Sequence, residues 1–302
     1  MMCRQLWRIG LAILLVSVLG LSGGRVTLAQ ETAAEDPLTA QVELLIGQMD
    51  AREKVGQLFL VTFLGDSADA DSVIADLIRN YRVGGVALLA SNDNITDYED
   101  PVTQVAGLIN DLQTRSSEAT EQAQPAGPAE GDSQATRPFI PLFVAIDHEG
   151  DGYPTTRILQ GMTKIPDNMA IGATWDPAFA QSVGNIVGAE LAELGVNMLL
   201  GPSLDVLESP RPDSPGILGT RTFGGDPYWV GVMGQAYIRG VHQGSNRQVA
   251  VVAKHFPGHG GSDREPDQEV STVRKSLEQL KLTELAPFVA VTGLAPNSDE
   301  TP

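Results

Sequence analysis

The sequence predicts an α/β protein, a (β/α)8 barrel of the TIM type represented by about five of its β/α units. Three observations predict it. Short aliphatic and β-branched runs recur at 58–63 (LFLVTF), 83–89 (VGGVALL), 141–146 (PLFVAI), 196–200 (VNMLL) and 249–253 (VAVVA). With so little polar alternation they read as strands buried on both faces, the pattern of a parallel sheet. Stretches with apolar residues at helical spacing separate them, so strand and helix alternate along the chain. Three of the strands end in runs of polar residues, where α/β enzymes keep their chemistry. A doubly wound open sheet would share the alternation, but no Gly-x-Gly-x-x-Gly follows the first strand, which weakens a dinucleotide-binding version of it.

The elements follow in order. Residues 1–29 read as a signal peptide: Arg4 and Arg8 form a basic start, 11–21 (LAILLVSVLGL) is an apolar stretch, and Leu28-Ala29-Gln30 offers small-residue cleavage sites. The apolar stretch falls well short of the roughly 20 residues that span a bilayer. Left uncleaved, it would instead act as an anchor. Residues 30–40 form a polar, flexible leader, and the barrel domain occupies 41–302. Val42, Leu45, Ile46 and Met49 give a first helix over 41–49. The strand at 58–63 leads to a helix over 71–79 with Val73, Ile74, Leu77 and Ile78 facing inward. After the strand at 83–89 comes a helix over 102–112, then a break at 116–137 (SSEATEQAQPAGPAEGDSQATR). That break has almost no large apolar residue and reads as a disordered surface insertion.

The third strand, 141–146, runs into Asp147-His148-Glu149-Gly150. A helix over 178–194 has Asp176 as its N-cap, Pro177 in its first turn and Gly195 past its end. The fourth strand, 196–200, leads to Gly201-Pro202-Ser203-Leu204-Asp205, and a helix over 228–241 precedes the fifth strand. That strand stops at Lys254 and His255, before the loop Phe256-Pro257-Gly258-His259-Gly260. Helical segments at 273–280 and 285–291 follow.

Composition narrows the function classes. A hydrophobic content of 42% supports a core, while 38 acidic against 20 basic residues give a net charge of −18. That balance argues against nucleic acid or an anionic membrane surface as partner. Removing residues 1–29 takes three arginines and no acidic residue, so the charge moves from −18 to −21. The only cysteine, Cys3, goes with them, leaving neither disulfide nor thiolate chemistry. The reading is an acidic, secreted or extracytoplasmic protein acting on neutral substrates.

Four groups fall at strand ends: Asp147-His148-Glu149, Asp205, Arg221 in GTRTFGGDP, and Lys254-His255 with His259. On a barrel these ends meet around one mouth. Carboxylate, guanidinium, ammonium and imidazole together suit a substrate dense in hydroxyls, since carboxylates accept from adjacent hydroxyls while Arg and Lys donate to others. Each residue taken alone is equally well a salt bridge or a loop cap.

QMDAREKVGQLFLV, VGGVALL, VAIDHEG, IGATWDP, ELGVNMLLGPSLDV, GTRTFGGDP and AKHFPGHGG stand in an order that resembles the N-terminal barrel domain of glycoside hydrolase family 3. The Lys-His-Phe-Pro-Gly-His-Gly form is most similar to its β-N-acetylhexosaminidase branch. The resemblance spans roughly residues 42–291. It implies a retaining, exo-acting glycosidase with no metal or cofactor, and a carbohydrate substrate carrying β-linked N-acetylglucosamine or glucose. By motif, Asp147, Arg221, Lys254 and His255 resemble the residues that hold the sugar, the last two as donors. Asp205 matches a position more structural than catalytic, and His259 supports the loop.

The chain departs from the family pattern in two places. The nucleophilic aspartate that the resemblance implies follows a later strand, downstream of all 302 residues, so the chain reads as the inactive front part of a longer protein. The acid/base loop, residues 262–269 (SDREPDQE), lacks the histidine of the hexosaminidase branch. Asp267 or Glu269 could replace it, as a carboxyl with a raised pKa can protonate a leaving group; a solvated acidic loop is the plainer reading. A β-glucosidase and a sugar-binding barrel without catalysis are the alternatives to a β-N-acetylhexosaminidase.

Overall fold

Neighbours in sequence are neighbours in the sheet. The computed structural model describes residues 37–97, 99–122, 139–150, 158, 160–209, 218–262, 270 and 272–293. Among these, β1 (Leu60–Val61), β2 (Gly85–Leu88), β3 (Phe143–Ile146), β4 (Met198–Ser203) and β5 (Ala250–Lys254) form one sheet in the order β1-β2-β3-β4-β5. Every adjacent pair is parallel. A doubly wound sheet would reverse direction and place its first strand internally; chain order is the order of a barrel wall.

Helices fill each crossover. Helix α1 (Pro37–Gln48) and α2 (Ala51–Gly56) precede β1; α3 (Val73–Asp76), continued by a π-helical turn over Leu77–Tyr81, links β1 to β2. Helix α4 (Pro101–Gln122) links β2 to β3, α5 (Asn168–Gly172) and α6 (Pro177–Leu194) link β3 to β4, and α7 (Pro227–Gly244) links β4 to β5. Helix α8 (Leu277–Leu282) and α9 (Ala286–Val291) follow. The chain divides into two compact units, Met1–Leu44 and Leu45–Pro302, and the sheet lies wholly in the second.

Cap chemistry sets the helix boundaries where the sequence places them. Asp176 accepts a hydrogen bond from the Ala178 N–H, Pro177 opens α6, and Gly195 closes it at φ 90°. Asp226 does the same for α7 through the Trp229 N–H at 3.0 Å. The two helices then press together backbone to backbone. A Cβ on Gly184 would stand 2.1 Å from the Tyr237 carbonyl oxygen, and one on Gly188 2.2 Å from that of Val241. The core beneath is built from interior strands, with all of β2 buried, together with Val105, Leu112, Val187, Leu191, Val230 and Val241.

Several expectations are corrected. β1 has two residues rather than six, with Leu60 43% exposed, and in β5 Val252 is 42% exposed. Each has one neighbour among the described strands, so the both-face burial of a parallel sheet reaches only β2 to β4. Val73 faces solvent, because Ser72 caps α3 through the Ala75 N–H and turns Ile74 and Ile78 inward instead. Residues 37–40 are helical rather than loose, since α1 begins at Pro37, and its Val42 and Ile46 are exposed. The start of the 116–137 insertion is helical as well. Helix α4 runs to Gln122 with Ser116 and Ala119 buried, for Ala, Glu and Gln favour helix even without large apolar residues. Residues 273–276 are not helical: Val273 bridges Ser262, and Ser276 caps α8 in a capping box with Gln279. The signal segment 1–29 and positions 123–137 of the insertion lie outside the described residues. Among those described, no helix is long and apolar enough to cross a membrane.

Candidate functional site

The C-terminal ends of β3, β4 and β5 carry the polar runs, and the loop before α7 adds Arg221. That loop is clamped by α5. The Asn168 side-chain amide donates to the Arg221 carbonyl at 2.8 Å, and the Met169 N–H donates to the Thr220 carbonyl at 2.9 Å. Gly172 lies so close to the Phe223 carbonyl that a Cβ would overlap it.

Two of the sequence-predicted cations converge on one carboxylate, and a second carboxylate joins them through Lys254. Lys254 Nζ ion-pairs with Asp147 and stands 3.5 Å from Glu149 Oε1, while Arg221 Nε donates to Glu149 Oε2 at 2.6 Å. Glu149 is therefore the hub that holds both cations. Its side chain is 1% exposed against 36% for Asp147, so Asp147 is the carboxylate that reaches outward. Burial works to discharge the Arg221 guanidinium, but the charge and hydrogen bond of Glu149 outweigh it and hold the group firmly protonated. Beneath them the Tyr237 hydroxyl is pushed far up, first by burial and then by the Glu149 charge, and stays neutral. Glu149 was legible as part of the Asp-His-Glu run, but nothing local marked it as the hub.

A second cluster adjoins the first. Asp205 is fully buried, and its Oδ2 meets Ser203 Oγ at 2.8 Å and His255 Nδ1 at 2.6 Å. Its Oδ1 accepts from the His259 backbone N–H at 2.6 Å. Burial alone would raise the Asp205 carboxyl; the hydrogen bond and charge of His255, with Ser203 and the His259 N–H, bring it below the ordinary value. His259 is buried, and its ring meets that of His255 edge-on with centroids 5.8 Å apart. The peptide bonds Lys254-His255 and Phe256-Pro257 are cis.

Behind the loop lies an ionic group that the motifs did not signal. Glu284, fully buried, accepts from the Gly261 N–H and from Lys275 Nζ, both at 3.0 Å. Lys275 also donates to Glu208 at 2.5 Å. Burial opposes the Lys275 charge, and the two carboxylates more than restore it. Gly258, at φ 128°, passes so near Glu284 that a Cβ would lie 2.4 Å from the glutamate Cβ.

Asp267 and Glu269, the acid/base candidates, lie outside the described residues. Among those described, no group of three or more His, Cys, Asp or Glu side chains is placed to hold one metal ion. The arrangement suits a neutral polyhydroxylated ligand: fixed N–H donors from Lys254 and Arg221, an outward carboxylate at Asp147 and an imidazole at His255.

Comparison with known proteins bears on this geometry. Residues 50–296 match the family described as the glycosyl hydrolase family 3 N terminal domain. The chain is 28% identical over 281 residues to Beta-hexosaminidase A of Pseudoalteromonas piscicida, covering 90% of this chain and 41% of that protein. It is 28% identical over 247 residues to the Beta-N-acetylglucosaminidase/beta-glucosidase of Cellulomonas fimi, covering 81% and 36%. A solved glycoside hydrolase family 3 beta-N-acetylglucosaminidase from Paenibacillus sp. superposes with a TM-score of 0.66 at 32% identity, covering 82% of this chain and 40% of that one. The chain thus spans about two fifths of the length of these relatives.

Proposed function

The chain belongs to the glycosyl hydrolase family 3 N-terminal domain family, and from that premise we propose that it carries the sugar-holding part of a secreted, retaining, exo-acting β-N-acetylhexosaminidase. One observation carries the reading: Lys254 and Arg221 both pair with buried Glu149 at the C-terminal strand ends, and Asp147 pairs with Lys254 from the outer side. Lys254 and Arg221 donate to oxygens of the terminal sugar, and Asp147 accepts from its hydroxyls. Because Glu149 binds both cations before any ligand arrives, the donors are ordered in advance, which lowers the entropy cost of binding. The name of the Paenibacillus relative supports N-acetylglucosamine as that sugar, and the name of the Pseudoalteromonas relative supports a hexosaminide. The double name of the Cellulomonas relative keeps glucose as the second reading.

Retaining hydrolysis needs a nucleophilic carboxylate and an acid/base about 5–5.5 Å apart. Asp205 is unsuited to the acid role, since its carboxyl is held below the ordinary range. Glu149 is committed to two cations. Asp267 or Glu269 remains our proposal for the acid. The basic start and apolar stretch at 11–21 support export.

Calorimetric titration of the chain with N-acetylglucosamine and with glucose tests the reading. Binding of N-acetylglucosamine that Asp147→Ala abolishes is the expected result; equal binding by the variant would overturn it. Aryl β-N-acetylglucosaminide and aryl β-glucoside assays then separate the two sugars, and release from the glucoside alone would favour the second reading.

A further inference from the structure

We propose that Asp205 fixes His255 as its Nδ1–H tautomer, so that His255 presents Nε2 to the bound sugar as a hydrogen-bond acceptor rather than a donor. This rests on the reading that the strand-end cluster holds a terminal sugar, and it specifies what one residue of that site recognises.

The assignment follows from counting protons around Asp205. An ionised carboxylate only accepts. Here Oδ1 is taken by a backbone N–H from His259, which cannot reverse its role, and Oδ2 faces Ser203 Oγ and His255 Nδ1. A contact of 2.6 Å between Nδ1 and Oδ2 therefore requires the proton on Nδ1. The carboxyl is held ionised despite its burial by the three hydrogen bonds it accepts, from His255 Nδ1, Ser203 Oγ and the His259 N–H. A neutral imidazole protonated at Nδ1 carries its lone pair at Nε2. The Nδ1 edge is bound to a fully buried atom, whereas the His255 side chain is 35% exposed, so the opposite edge is the accessible one. The His259 ring packed edge-on against His255 restrains rotation.

The chemical consequence is complementarity. Lys254 and Arg221 offer only donors. A sugar hydroxyl must also place its own hydrogen, and Asp147 can serve only those hydroxyls within its reach. His255 adds a second acceptor, which selects for a hydroxyl and against any substituent lacking a hydrogen.

Long-range nitrogen–proton NMR of the imidazole reads the tautomer directly. The expected spectrum has a protonated Nδ1 and a pyridine-like Nε2 for His255, and a protonated Nε2 would overturn the proposal. Asp205→Asn should exchange the two nitrogens. Its carbonyl oxygen must face the His259 N–H, which leaves the amide N–H group to donate to Nδ1. Titration with N-acetylglucosamine analogues fluorinated at single hydroxyl positions supplies the functional readout, since fluorine cannot donate. Wild type should lose roughly tenfold in affinity at one position that does not depend on Asp147. In Asp205→Asn the penalty at that position should shrink towards unity, and an unchanged penalty would refute the specificity role. If Asp205→Asn does not fold, the wild-type spectrum still decides the tautomer, and Ser203→Ala should leave that tautomer in place. Absence of any N-acetylglucosamine binding would sink the sugar-site reading while the tautomer stood.

Discussion

Glu149 is the residue on which both cations of the strand-end cluster depend, and its removal is the sharpest test of how the cluster is held. Glu149→Ala leaves Arg221 and Lys254, each 14% exposed in its side chain, without that carboxylate. Removing one partner from a buried ion-pair cluster costs up to about 3–5 kcal/mol, so the midpoint of urea unfolding should fall. Asp147→Ala, which removes the exposed carboxylate, should cost far less stability while abolishing sugar binding. Asp205 sets a pH dependence. Its folded carboxyl titrates below the ordinary value of 3.8, so its stabilisation is full above that value and is lost as pH falls from there through the folded value. Asp205→Asn should flatten the acid limb of a stability-versus-pH curve; an unchanged limb would contradict the hydrogen-bond assignment. That Asp147, Arg221, Lys254 and His255 lie close together was legible because each sits in a polar run at the end of a strand or before a capped helix. Glu284 and Lys275 were not, because they meet the Gly258–Gly261 loop from more than a dozen residues downstream, and no local spacing encodes that meeting.

Helix boundaries were most legible where a capping side chain enforces them. Asp176, Pro177 and Gly195 fix α6 as the sequence indicates, whereas α4 overran its expected end because its last turns are polar but helix-favouring. The packing of α6 on α7 was not legible, since glycine in a helix reads as a weak position until its neighbour is known. Gly188→Ala forces a Cβ into the Val241 backbone and should cost about 1–3 kcal/mol. Gly107→Ala in α4 is the opposite case, with nothing within 4 Å of the new Cβ. It should stabilise by up to about 1 kcal/mol through helix propensity. Thermal melts of the two variants check the pair, and shifts of the same sign would contradict the packing.

At the scale of the whole molecule the fold class was the most legible feature, since alternation of buried strands and amphipathic helices leaves few parallel architectures. The state of the outer strands was not, because burial at β1 and β5 depends on neighbours rather than on their own residues. Val252, Phe256 and Val289 are exposed near β5, beside an apolar cleft lined by Val251, Ala253 and Phe288. The chain should therefore self-associate at high concentration, more so in salt that screens its net charge of −18. Val252→Lys with Val289→Lys should suppress this in sedimentation measurements; unchanged association would place the contact elsewhere. A sheet whose spatial order equals its chain order also has a bearing on biogenesis. Among the described strands, each from β2 to β5 pairs with one synthesised before it, so each new strand emerges to an edge already made. The wall can be laid strand by strand as the chain emerges, each new β/α unit finding a finished edge to dock on.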